Sequence, residues 1–196
     1  MPTNEKLTTL IELIAHLSVS HNNILISGAA IDLSSLIVVE GKVCWDLYID
    51  RLVVSLDGNL LDALAASIKV ALSDTGIPKV NVSVINAATD EEHEVDVSDE
   101  EFLQFDTSSV PVIITLTKMG QHYIIDATSE EESQMSSAVL VSVNRHDQIC
   151  GLTKRGGAGL DPSIIFDMLS VAKHVSQQLI SHLDSEIAAA EAEEAE

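Results

Sequence analysis

Apolar residues at Leu7, Leu10, Ile11, Ile14 and Leu17 recur at helical spacing, which predicts a helix over residues 6–17. The stretch "SHNNILISGAA" then breaks the pattern. Residues 34–39 and 43–54 read as strands on either side of the turn "EGK". Within the second, Trp45, Leu47, Ile49 and Arg51 alternate with Cys44, Asp46, Tyr48 and Asp50. The apolar run at Val53 and Val54 predicts a strand end buried on both faces. A helix of about four turns is expected from the Asp57-Gly58 turn onward. Its inward face is Leu61, Leu64, Ile68 and Leu72, and Gly76 and Pro78 are its stop signals.

Val80, Val82 and Val84 alternate as a strand, and an acidic loop is expected over residues 87–106. Residues 110–118 and "HYIID" should pair as a hairpin around "MGQ", and residues 138–144 and 148–153 as another around "RHD". After the bend at Gly156, Gly157 and Gly159, Asp161-Pro162 marks a helix start, an N-cap followed by proline at the first helical position. That helix carries Ile165, Met168, Leu169, Ala172, Val175, Leu179 and Leu183 and frays into an Ala/Glu tail. Hairpins with helices in two places predict an α+β fold with a mixed sheet.

Charge refines this picture. The formal net charge is −21, yet residues 90–101 hold eight acidic side chains and residues 184–196 another six, with no Lys or Arg in either. The remainder carries 17 acids against 10 bases, so the body is only mildly acidic. A chain without a basic surface should meet RNA only as part of a larger assembly. No apolar run approaches the roughly 20 residues of a membrane helix. Cys44 and Cys150 lack metal or CxxC spacing, so two ordinary thiols in a reducing compartment are expected. The seven histidines are scattered, no nucleophile elbow is present, and "GGAG" lacks the Lys-Ser/Thr of a phosphate loop. Trp45 reads as a core or interface residue, since one aromatic makes no stacking platform.

The segments "CWDLYIDRLVVSLDGNLLDALAASIKVALSDTGIPKV", "SSVPVIITLTKMG", "YIIDATSEEESQMSSAVLVSVN" and "GGAGLDPSIIFDML" together resemble the RNase PH family, and within it the branch that builds the core ring of the RNA exosome. The resemblance runs from about Ile31 to about Ala189. It implies a partial RNase PH-like domain over residues 30–183 (the ribosomal protein S5 domain 2-like fold), preceded by a divergent segment with a short helix at 1–29. An acidic helical or disordered tail follows at 184–196. Measured against the family, the chain starts near the middle of the domain, so exposed strand edges are expected.

The resemblance also frames the chemistry. Active relatives read Asp-Gly-Gly-Thr-Arg-Ser/Thr-Ala at the first helix turn, where this chain reads "DGNLLDA". The phosphate-holding arginine position matches Leu61, and the neighbouring hydroxyl position matches Asp62. Leucine offers no donor, and aspartate repels phosphate. Of the family's acidic positions, Asp126 and Glu132 match the first two and Ala138 the third. Asp126, Glu130, Glu131 and Glu132 could attract a divalent cation, or Asp126 could simply cap backbone N–H groups in a solvated turn. No catalytic residue, metal or cofactor is expected. Lys118, Lys154 and Arg155 are the candidates for touching an RNA backbone.

By resemblance, then, the chain is a structural, catalytically inactive ring subunit. Its partners would be the other RNase PH-like ring subunits, the RNA-binding cap subunits and RNA threaded through the ring, in the nucleus, nucleolus and cytoplasm, with no membrane. Two alternatives stay open: an active phosphate-dependent 3'-to-5' exoribonuclease subunit, and a truncated form or acidic interaction module that does not assemble.

Overall fold

A computed structural model describes residues 33–87 and 90–194 of the chain. The helix expected over 6–17 lies outside the described residues. A 3-10 turn, Leu33–Leu36, leads into a short antiparallel pair, β1 (Ile37–Val39) and β2 (Val43–Cys44). Helix α1 (Leu60–Ser73) is followed by a long hairpin of β3 (Gly76–Ala87) and β4 (Asp90–Gln104). Strands β5 (Val112–Met119) and β6 (His122–Ile125), a single-turn helix α2 (Ser129–Ser133), and strands β7 (Ser137–Val143) and β8 (Ile149–Arg155) come next. Helix α3 (Pro162–Glu194) is the last element among the described residues.

The core is a four-stranded sheet in the order β6-β5-β7-β8. Its central strands are buried on both faces, which accounts for their near-continuous apolar runs. Ile114, Leu116, Val139, Val141 and Val143 face Met168 and Ala172 of α3. On the opposite face Ile113 and Leu140 meet Leu61 and Ala65 of α1. Every ladder among the described residues is antiparallel, so the α+β expectation holds while the sheet expected to be mixed is antiparallel there. Asp161 caps α3 as its sequence predicts, its Oδ1 accepting from the N–H of Ser163 at 2.9 Å and its hydroxyl at 2.7 Å. The tail stays helical through Glu194.

Three expectations are corrected. The strand predicted over 43–54 pairs only at β2. Beyond it Trp45, Leu47 and Ile49 still alternate inward, packing against Leu36, Ile68, Leu72, Phe105 and Val110. The end expected to be buried twice is open instead: Leu52 is 87% and Val54 91% exposed. An apolar run needs an element on each side to be buried, and among the described residues this one has neither. The acidic stretch expected as a loop over 87–106 is mostly strand β4, paired along β3. Alternation through Glu94, Val95, Asp96 and Val97 suits a pleated strand whatever its charge.

The third correction concerns the inward face of α1. Leu64 is only partly buried, whereas Asp62 and Lys69 lie inside. Lys69 is 1% exposed, and its Nζ donates to the carbonyls of Thr107 (2.8 Å) and Val110 (2.9 Å). Burial lowers its pKa from 10.5 to about 8. It pins α1 to the loop entering β5. Replacing Lys69 with Met leaves the buried Val110 carbonyl without this donor, while the Thr107 carbonyl keeps the Val110 N–H at 3.1 Å, and should cost about 1–3 kcal/mol. Urea unfolding followed through Trp45, the chain's single tryptophan, which packs in the adjoining cluster, measures this; a change below about 0.5 kcal/mol contradicts the pin.

Candidate functional site

The turn into α1 is shaped by one residue with no side chain. Gly58 has φ +94°, and a Cβ there would lie 2.2 Å from the Ala127 carbonyl oxygen, so only glycine fits. The close approach lets the Ser129 N–H reach the Asp57 carbonyl at 3.1 Å. The β6–α2 connection is thereby docked onto the start of α1.

Asn59 follows in the left-handed region, φ 48° and ψ 34°, which asparagine tolerates better than most residues. It sits at the N-cap position but its side chain does not cap the helix. Its Nδ2 instead donates to Asp126 Oδ1 at 3.0 Å, and its backbone N–H donates to Glu132 Oε1 at 3.0 Å. A carboxylate of the chain itself therefore stands at the positive end of the helix, where a bound anion would gain most. Glu131 is engaged too, in a capping box with Thr128. Asp126, expected to cap backbone N–H groups, serves the Asn59 amide instead.

Leu61 and Asp62 both turn inward. Leu61 packs with Ala65, Ile113 and Leu140. Asp62 is 7% exposed and grips Thr115 twice, accepting from its backbone N–H at 2.7 Å and its hydroxyl at 2.6 Å. Burial pushes its pKa from 3.8 up to about 6, against the lowering effect of the Thr115 bonds, and the charge of Asp126 adds to the rise. Asp62 is a tie between helix and sheet, not the exposed repelling wall that its position in the sequence suggests.

Around this tie runs an open cleft lined by Gly58, Asn59, Thr115, Ser129, Glu132 and Arg155. It continues past Thr117, Ser133, Met135 and Ala138. Asp126, Glu132 and Ala138, picked from the sequence, thus belong to one neighbourhood. The three basic candidates do not. Arg155 pairs with Ala138 across the ladder and lines the cleft. Lys154 is one pleat position away, opposite Val139, and its Nζ donates to the Gly156 carbonyl at 2.8 Å. Lys118 pairs with Ser137, on the register of the other sheet face. Among the described residues, no three or more His, Cys, Asp or Glu side chains converge as a metal site. Asn59 and Thr115 organise the acids, and local sequence carries no signal for either, because their partners lie 73 and 53 residues away in the chain.

Residues 8–78 match the model of the 3' exoribonuclease family, domain 1, and residues 109–175 match domain 2 of the same family. The chain belongs to this RNase PH family. The domain 1 match begins earlier than the resemblance visible from about Ile31. The chain is 39% identical to a putative exosome complex exonuclease RRP42 of Dictyostelium discoideum, over 75% of this chain and 45% of that protein. It is 30% identical to exosome complex component Rrp42 of Methanothermobacter thermautotrophicus, over 79% of this chain and 54% of the relative. It thus spans about half the length of these relatives. Among solved structures, a chain of an archaeal exosome core superposes with a TM-score of 0.65 at 25% identity, covering 88% of this chain and 64% of that one. A chain of the Archaeoglobus fulgidus exosome with RNA bound to the active site gives 0.63 at 25% identity, covering 86% and 60%. The RNase PH-like fold expected from the sequence is the fold observed.

The Asp62–Thr115 tie has a pH signature. Because its folded pKa is raised, the folded chain holds the Asp62 proton more tightly than the unfolded chain. Its contribution to stability is therefore full below about pH 4 and falls as pH rises through about 6. Denaturation midpoints compared with those of Asp62→Asn should show the native chain losing ground to the variant across this window. Parallel pH curves for the two would contradict the buried carboxylate.

Proposed function

We propose that this chain is a structural, non-catalytic RNase PH-like subunit of an RNA exosome core ring. It supports 3'-to-5' RNA processing and degradation, including ribosomal RNA maturation and messenger RNA turnover, by scaffolding and RNA threading. Its partners are the other RNase PH-like ring subunits, the RNA-binding cap subunits and the RNA passing through, in the nucleus, nucleolus and cytoplasm. Exosome subunit relatives and exosome-core structural neighbours support the assembly.

One observation carries the catalytic half of the reading: both matched acids, Asp126 and Glu132, bond to Asn59. Phosphorolysis needs donors that hold inorganic phosphate as nucleophile and free acids to place a metal or move a proton. In this chain the helix end meets Glu132, Leu61 is a core residue, and Ala138 has no carboxylate. Arg155 beside Ser129 and Thr115 favours a second reading, an exoribonuclease subunit that uses added phosphate.

Co-expression with the remaining ring subunits separates the possibilities. On the scaffold reading the chain co-elutes with the ring, and Asp126→Asn leaves unchanged any release of nucleoside diphosphates from RNA and phosphate. Release that falls at least tenfold on Asp126→Asn would establish the second reading, and failure to co-elute would overturn ring membership.

A further inference from the structure

Strands β3 and β4 leave the body as a two-stranded arm. At its root Ile77 packs against the cluster of Leu36, Ile68, Leu72, Phe105 and Val110, and Gly76 lies against the Phe102 ring. Further out, Val80 pairs with Val97 and Val82 with Val95, which puts four valines on one face of the ribbon. Three of them are open to solvent: Val82 is 37%, Val95 38% and Val97 43% exposed. An isolated two-stranded ribbon is marginal in water and gains stability when its apolar face is covered.

Charge identifies the kind of cover. Between Gly76 and Gln104 stand eight acidic residues and one lysine. Next to Val97 the register jumps, so that Lys79 alone faces Ser98, Asp99, Glu100 and Glu101. The Ser98 hydroxyl accepts from the N–H groups of Glu100 and Glu101, which holds the bulge in shape, and Lys79 bridges Glu101 at 2.7 Å. Asp96, Asp99 and Glu100 remain exposed. A second copy would set one acidic arm against another, and RNA would set phosphates against carboxylates; both are repelled at close range. Two strands spaced about 4.8 Å apart form a face about as wide as one helix, roughly 10 Å.

We propose that the valine face of the β3–β4 arm is a docking surface for a basic amphipathic helix of a partner protein. The helix lays its apolar stripe on Val80, Val82, Val95 and Val97 and its cationic flanks beside the acidic bulge. This surface lies apart from the cleft, and the proposal stands independently of ring membership.

The test uses the full chain and a fluorescent synthetic peptide of Leu and Lys with leucines at helical spacing, followed by anisotropy. The striped peptide should bind at least tenfold more tightly than a scrambled peptide of the same composition. Asp99→Asn with Glu100→Gln, which leaves the Ser98 turn and the Lys79 bridge intact, should weaken binding at least tenfold. Val82→Ser with Val97→Ser should do the same. Glu191→Gln with Glu193→Gln in the tail should change binding less than twofold. Equal binding of the scrambled peptide, no loss in the Asp99/Glu100 variant, direct binding of a fluorescent RNA oligonucleotide to the chain that the valine variant abolishes, or self-association abolished by the valine variant would each overturn the proposal.

Discussion

The double grip of the Asp62 carboxylate on Thr115 fixes helix α1 against the central strand of the sheet, and the candidate site is built on that attachment. Burying a carboxylate is costly unless its oxygens accept well-placed hydrogen bonds. Here the strand supplies both a backbone N–H and a hydroxyl. Two turns further along, Lys69 makes a second polar tie, to the Thr107 and Val110 carbonyls. Apolar contacts fill the space between the ties: Leu61 and Ala65 meet the sheet, while Ile68 and Leu72 meet the cluster that includes Phe105. The helix is thus located by directional bonds and held by burial.

Because α1 is fixed, its first turn meets the β6–α2 connection at one distance. The glycine at 58 allows the approach, and Asn59 converts it into a clamp by donating to Asp126 and Glu132 together. An anion site at a helix end depends on N–H groups left open to a ligand. Here the chain supplies a carboxylate of its own. The family's fold is present, and Asp126 and Glu132 both accept hydrogen bonds from Asn59 within it.

Much of this was legible in sequence order. Near-continuous apolar runs marked β5 and β7, and Asp161-Pro162 marked the start of α3, because such signals depend on neighbours a few residues apart. The role of Asp62 was not legible, since its partner Thr115 lies 53 residues on and a polar residue in a helix reads as exposed by default. Charge also misled: density of acid suggested a loop where alternation built β4. Equally, the apolar run at Val53 and Val54 could not reveal whether anything covers it.

Whether the start of α1 is scaffold or phosphate cradle is decided most directly by titrating the full chain with inorganic phosphate and following the amide resonances of Gly58, Asn59 and Thr115. If Glu132 and Asp62 act as internal ties, these resonances stay in place up to millimolar phosphate. Saturable shifts centred on Asn59 would contradict the scaffold reading and return the cleft to catalysis.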